Sequence, residues 1–126
     1  MIIAGEIPGR FVHRDDEVVA FLSIAPVTPG HTLVVPRAEV DDWTTLDPAL
    51  WSHVMMVAAR IGVAVKTAFD APRAGLVIAG FEVPHAHVHV FQTRGMADFD
   101  FADAKPDAPA AELDDAHRRL LAVLGS

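Results

Sequence analysis

Three histidines alternate with small or apolar residues in the stretch PHAHVHVFQ. His85, His87 and His89 occupy every second position there. In a β-strand, side chains at such positions point to one face, so the three imidazoles would share a surface while the residues between them face the core. A neutral imidazole, with a pKa of about 6.5, is unprotonated at pH 7 and can act as a nucleophile or as a general acid or base. The middle residue, His87, has a histidine on each side and is the candidate nucleophile.

Two other interpretations of the alternation are a polar surface stripe and a metal site. A solvent-facing stripe is served better by Lys, Thr or Glu than by histidine. A metal site needs further ligands, and the VFQTRG segment that follows supplies no carboxylate. The sequence has no cysteine, which excludes thiolate ligands, thiolate nucleophiles and disulfides. We therefore favour catalysis and expect neither a metal ion nor another cofactor.

The composition is typical of one folded domain. The chain has 126 residues, 52% of them hydrophobic, and its ten basic and seventeen acidic residues give a formal net charge of −7. We predict a single domain over residues 1–126. The negative charge disfavours nucleic-acid binding. The start lacks the features of a signal peptide, and charged residues interrupt the apolar segments before the roughly 20 residues that span a bilayer. We therefore expect a cytoplasmic protein without nucleic-acid or membrane partners.

The hydrophobic patterns predict the elements that must position the histidines. Asp47 and Pro48 are a strong helix start, and apolar residues then recur every three or four positions as far as Phe69. A segment rich in Ala, Asp and Pro, residues 93–111, is predicted as an irregular arm, followed by a short helix over 112–124. Five short β-rich runs are predicted as strands, over residues 11–13, 18–24, 31–36, 75–80 and 85–91.

Several segments together resemble the histidine triad (HIT) superfamily of nucleotide-binding hydrolases and transferases. HAHVHVF, residues 85–91, is similar to its H-φ-H-φ-H-φ-φ signature, in which φ is apolar. GHTLVVPR, residues 30–37, and AGFEVPH, residues 79–85, look like two further family segments, and residues 7–26 resemble its N-terminal strands. The resemblance covers about residues 3–92, which would form the core of the domain. It is nearest to the bacterial small HIT proteins of the nucleotide phosphoramidase branch.

This resemblance implies a fold, a reaction and roles for four histidines. The fold would be α+β, an antiparallel sheet of about five strands with one long helix and a short C-terminal helix, and the sheet would extend across a homodimer. The reaction would cleave a nucleoside phosphoramidate or related nucleotide conjugate with a purine base, through a nucleotidyl-histidine intermediate. His87 would be the nucleophile and His89 would bind a phosphate oxygen and help to protonate the leaving group. His85 would orient its neighbours, and His31 matches a fourth histidine that supports the triad.

The resemblance also implies a nucleotide-binding set and an alternative function. Gly80 could let phosphate approach the backbone closely. Ser23, Phe81 and Glu82 replace residue types with which relatives contact ribose and phosphate, and an ionised Glu82 would repel a phosphate. These departures favour, as the alternative, a non-catalytic nucleotide-binding or adaptor protein on the same fold. The positions that match the apolar base cleft of relatives are Ile7, Phe11, Phe21 and Ile24.

Overall fold

A computed structural model of the chain describes residues 9–78, 85–101 and 108–125. The predicted contributions of Ile7, Gly80, Phe81 and Glu82 lie outside the described residues. Within these described ranges, two short 3-10 helices occupy Trp43–Thr45 and Met96–Phe99. The main elements are β1 (Phe11–Arg14), β2 (Val18–Leu22), β3 (Thr32–Pro36), α1 (Pro48–Ala68), β4 (Arg73–Val77), β5 (Val88–Thr93) and α2 (Ala110–Leu124).

The five strands form one antiparallel sheet in the order β1-β2-β3-β5-β4. Strand β5, which carries the last of the three alternating histidines, is an interior strand between β3 and β4. An interior strand is hydrogen-bonded on both sides, so its side chains are held in a fixed register. The α+β fold with a five-stranded antiparallel sheet, a long helix and a short C-terminal helix is confirmed.

Helix α1 covers one face of the sheet. The Asp47 carboxylate accepts hydrogen bonds from the N–H groups of Ala49 and Leu50, and Pro48 occupies the first turn, as the sequence predicts. By length and composition alone α1 could cross a membrane. Its buried stripe instead packs against the sheet and makes it the core helix of this domain. Seven α1 residues form that stripe: Val54, Val57, Ala58, Ile61, Gly62, Ala64 and Val65.

Several element boundaries differ from the predicted ones. Strand β4 covers 73–77 instead of 75–80, and β5 covers 88–93 instead of 85–91. The shift has a cause in the pairing, because Arg73 stands opposite Thr93 at one end of β4 and β5. At the other end the β3 pairing stops at Val88, and the N–H of Ala86 donates instead to the carbonyl of Val40 at 2.6 Å.

Candidate active site

The side chain of His89 projects from the sheet face opposite α1. Its neighbours Val88 and Val90 are buried in the core that α1 covers. Since side chains alternate along a strand, His89 points to the other face. There it stands directly between Leu33 of β3 and Val77 of β4. This central position gives His89 neighbours on both sides.

His31 and His89 form a hydrogen-bonded pair with a defined direction. The N–H of Val27 lies 3.1 Å from Nδ1 of His31, so this nitrogen accepts and the proton of a neutral His31 is on Nε2. Nε2 of His31 lies 2.9 Å from Nδ1 of His89 and donates to it. A neutral His89 must then carry its own proton on Nε2. His89 is therefore set as a hydrogen-bond donor at the atom facing away from His31.

His87 is held in the opposite tautomer. Its Nδ1 lies 2.8 Å from the backbone carbonyl of His85, and a carbonyl oxygen can only accept, so Nδ1 carries the proton. Nε2 of a neutral His87 is then left with a free electron pair. The rings of His87 and His89 lie 4.9 Å apart, edge to face. A nucleophilic nitrogen and a proton donor are thus adjacent.

His85 does not follow the strand alternation that the sequence predicts. Strand β5 begins only at Val88, and His85 and Ala86 are both buried, at 2% and 3% exposure. Nε2 of His85 donates to the carbonyl of Pro36 at 2.6 Å. Among the described residues its buried Nδ1 has no hydrogen-bond partner. His85 therefore contributes its carbonyl to His87 rather than a ring on a shared surface.

Two of the four histidines are kept neutral at physiological pH. Burial, and then the charge of His89, lowers the pKa of His31 from 6.5 to about 3. Burial, and then the charge of His87, lowers the pKa of His89 from 6.5 to about 4. Burial in a medium of low dielectric disfavours the charged imidazolium. At neutral pH the His31–His89 pair therefore keeps the tautomers that its hydrogen bonds define.

The segment after β5 folds back over these histidines. The Asp98 carboxylate accepts hydrogen bonds from the Thr93 hydroxyl and the Arg94 N–H, at 2.8 and 2.9 Å, which fixes the turn that leaves the sheet. Phe101 then lies edge to face on His89, with ring centroids 4.6 Å apart, and 5.6 Å from the ring of His31. Sequence analysis missed this contact with the histidines. The only signal is a pair of phenylalanines, Phe99 and Phe101, in a segment otherwise poor in apolar residues larger than alanine.

The described members of the predicted nucleotide-binding set divide into two groups. Phe11 and Phe21 lie on the same sheet face as His89. Phe11 is paired with Phe21, Phe21 with Leu33, and Leu33 with His89, and directly paired residues point to the same face. Their rings meet edge to face at 5.7 Å. Ser23 and Ile24 come after β2 has ended. The Ser23 hydroxyl accepts the N–H of Ala25, and Ile24 is 65% exposed.

A cavity of about 390 Å³ borders His31. Its lining includes Ser23, His31, Phe69 and Arg119, but neither His87 nor His89. His31 thus borders this cavity and is hydrogen-bonded to His89. The side chain of His89 lies on the sheet face that also carries Phe11 and Phe21.

Comparisons with known proteins show which family the chain is similar to. The chain matches the HIT domain model over residues 4–96. It is 35% identical to an uncharacterized HIT-like protein of Saccharolobus solfataricus over 97 residues, which are 73% of this chain and 70% of the relative. It is 32% identical to the protein hit of Bacillus subtilis over 102 residues, 77% of this chain and 70% of that protein.

A solved structure is similar over almost the whole chain. It is a zinc-bound histidine triad family protein from Mycobacterium smegmatis, with a TM-score of 0.82 and 28% sequence identity, and the match covers 98% of this chain and 89% of the other. The family of the sequence relatives and the fold therefore agree. HIT domain proteins are in general nucleotide-binding proteins and hydrolases. The chain belongs to the HIT domain family.

Proposed function

We propose that this protein hydrolyses a nucleoside phosphoramidate, or a related nucleotide conjugate, through a nucleotidyl-histidine intermediate on His87. The observation that supports it most is the pair of opposite tautomers. Nδ1 of His87 is occupied by the His85 carbonyl, so Nε2 has a free electron pair. His89 carries its proton on Nε2, because its Nδ1 accepts from His31. A candidate nucleophile and a hydrogen-bond donor for a phosphate oxygen are therefore present together.

The reaction then has two balanced steps. In the first, Nε2 of His87 forms a bond to the α-phosphorus while the bond from phosphorus to the leaving nitrogen breaks. The Nε2–H of His89 donates a hydrogen bond to a phosphate oxygen, and a water molecule gives a proton to the leaving nitrogen, which departs as a neutral amine and leaves a hydroxide ion. In the second, that hydroxide attacks phosphorus and the bond to His87 breaks. A nucleoside monophosphate is released and both imidazoles regain their starting states.

The aromatic residues of β1 and β2 suit the base of the nucleotide. Phe11 and Phe21 lie on the face of His89, in the same cross-strand row. Neighbouring strands lie about 4.8 Å apart, which puts Phe21, two strands away, roughly 10 Å from His89. The base would contact these rings while the phosphate reaches His87. We assign a purine, because its larger ring system covers more of the apolar surface.

We further propose that the protein is a cytoplasmic homodimer whose sheet continues across β4. In the part of the chain that the structure describes, β4 is an edge strand of the sheet, and the outer backbone groups of an edge strand can pair with another chain. Apolar side chains are exposed beside it, with Leu76 42% and Val63 of α1 62% exposed. A second copy that pairs along β4 would cover them. Sedimentation should give twice the mass of the chain, and a Leu76→Lys variant should shift it to the monomer.

The decisive experiment is turnover of adenosine 5′-phosphoramidate by the wild type and by His87→Gly. We expect turnover to fall at least a thousandfold, and labelled nucleotide to be trapped covalently on the wild type but not on His87→Gly. His53→Gln, on the helix side of the sheet, is the matched histidine control and should keep wild-type turnover. Retention of most activity by His87→Gly would contradict the mechanism. Calorimetric binding of AMP or GMP without any turnover would favour the non-catalytic nucleotide-binding protein instead.

A further inference from the structure

A second group of histidines lies on the helix side of the sheet. His13 is in β1, Asp15 is in the turn after it, and His53 is in the second turn of α1. The Nε2 atoms of His13 and His53 lie 2.6 and 2.8 Å from the same carboxylate oxygen, Oδ2 of Asp15. One ligand atom from each residue falls within 4.8 Å of the other two. Two imidazoles and one carboxylate are thus collected from separate elements of the fold.

The Asp15 carboxylate is oriented by the backbone of its own turn. Its Oδ1 accepts the N–H groups of Glu17 and Val18, both at 2.8 Å. Burial alone would raise the pKa of Asp15, but its hydrogen bonds from His13, Glu17, Val18 and His53 outweigh burial and hold the pKa well below its ordinary value. The carboxylate is therefore ionised at neutral pH. With Oδ1 occupied, Oδ2 is the oxygen presented to the two imidazoles.

We propose that His13, Asp15 and His53 form a binding site for a divalent transition-metal ion, Zn²⁺ in the first place. Two imidazole nitrogens and one carboxylate oxygen are ligands that Zn²⁺ takes in three-ligand sites, with water in the fourth position. The side chains are 18%, 30% and 28% exposed, so an ion and its water can enter from solvent. The site joins the β1–β2 hairpin to α1, and a bound ion would clamp these elements together.

Binding requires a small opening of the cluster. Ligands at about 2.1 Å from a tetrahedral Zn²⁺ stand roughly 3.4 Å from one another. The nitrogens now 2.6 and 2.8 Å from Oδ2 must therefore withdraw by about half an ångström to one ångström. Because these side chains are partly exposed, rotation of the two imidazoles can supply that change. Each Nε2 also gives up the proton that it donates to Asp15.

Arg60 opposes the metal ion in this arrangement. Its guanidinium donates to Nδ1 of His13 at 3.2 Å and to the carbonyl of Leu124 at 3.3 Å. When Nε2 of His13 binds a metal, the ring proton must be on Nδ1, where it faces the guanidinium donor. Arg60 is exposed and both of its bonds are long, so it can move away. Removing this cation should therefore strengthen metal binding.

The test is Zn²⁺ and Co²⁺ titration of the full-length, tag-free protein, with calorimetry for Zn²⁺ and visible absorption for Co²⁺. His53→Gln retains an N–H that can donate to Asp15 but is a poor metal ligand, so it should weaken binding at least tenfold without unfolding the chain. Arg60→Gln should tighten binding severalfold. His87→Gly and His117→Gln are the histidine controls and should bind one equivalent like the wild type.

Three results would overturn this site. They are the absence of binding by the wild type at micromolar Zn²⁺, binding that is unchanged in His53→Gln, and binding that is lost in His87→Gly. The last would assign the ion to the triad. Circular dichroism of each variant checks that the fold is intact, and a rise in the melting temperature with Zn²⁺ should occur in the wild type but not in His53→Gln.

Discussion

Nε2 of His31 donates a hydrogen bond to Nδ1 of His89 across 2.9 Å, although 58 residues separate the two in the sequence. The contact depends on the β3–β5 pairing, in which Leu33 stands opposite His89. His31 accepts the Val27 N–H at Nδ1, so its own proton is on Nε2 and the tautomer of His89 is fixed. Protonation of His31 would place a second N–H against the Val27 N–H, so this buried residue outside the triad favours its neutral form.

This coupling predicts a pH-dependent stability. The pKa of His31 is lowered to about 3 and that of His89 to about 4, so between pH 6.5 and 4 the unfolded chain binds protons that the folded chain does not. The contribution of these two histidines to the free energy of unfolding is therefore fully present above pH 6.5. It decreases as the pH falls, by up to about 1.4 kcal/mol per pH unit for each histidine. Urea unfolding at a series of pH values measures this slope.

His31→Phe isolates the contribution of His31, because the ring contacts remain while the titrating group is lost. Between pH 6.5 and 4, we expect the free energy of unfolding to depend less steeply on pH, by about the contribution of one histidine. At pH 8 the variant should be less stable by about 1–3 kcal/mol, since the Val27 N–H loses its acceptor. All carboxylates are common to both proteins and cancel in the comparison. Identical slopes would contradict the assigned burial of a neutral His31.

Phe101 should control the pKa of His89. Phe101→Ala exposes the His89 ring to water, and we expect its pKa to rise from about 4 by at least one unit toward 6.5. Phe99→Ala is the matched control, because Phe99 packs on Phe91 instead. NMR titration of the His89 ring protons measures both variants. Equal pKa values for His89 in the two variants would show that Phe101 does not set its environment.

Gly30 lies in the turn that immediately precedes His31. Its φ is +90°, and an added Cβ would lie 2.6 Å from the Phe69 ring. Gly30→Ala should therefore destabilise the fold by about 1–3 kcal/mol through strain and overpacking. Chemical denaturation should show this loss, and Gly95→Ala, where an added Cβ meets nothing within 4 Å, is the comparison. A Gly30→Ala variant as stable as wild type would contradict the positive φ.

The sequence signals that proved most informative are local. Asp47 and Pro48 start α1 as predicted, because capping depends on only a few neighbouring residues. The boundaries of β4 and β5 were predicted less well, since a strand ends where its partner's pairing stops, and Val34 of β3 sets that limit at Val88. The α+β class followed from the family resemblance, and the strands and helices predicted from periodicity are compatible with it.

The geometry of the candidate site was only partly predictable. The alternation of residues correctly predicted that Val88 and Val90 lie in the core. It wrongly predicted that His85 lies on the strand face of His89, because His85 precedes β5 and its ring donates to the Pro36 carbonyl. The roles of the histidines came from the family resemblance, because spacing alone cannot distinguish a nucleophile from a proton donor. The cover that Phe101 provides is a packing contact between distant segments and has no periodic signal.

Replacing Ser23 with aspartate should strengthen nucleotide binding. Its hydroxyl accepts the Ala25 N–H at 3.1 Å, and an aspartate can make the same turn bond with one carboxylate oxygen while the other stays free. If the ribose of a nucleotide lies here, Ser23→Asp should tighten AMP binding about tenfold through charge-assisted hydrogen bonds to its hydroxyls. Calorimetry with AMP and 2′,3′-dideoxy-AMP tests this, because the gain requires the ribose hydroxyls. An equal gain for both ligands, or none for either, would place the ribose elsewhere.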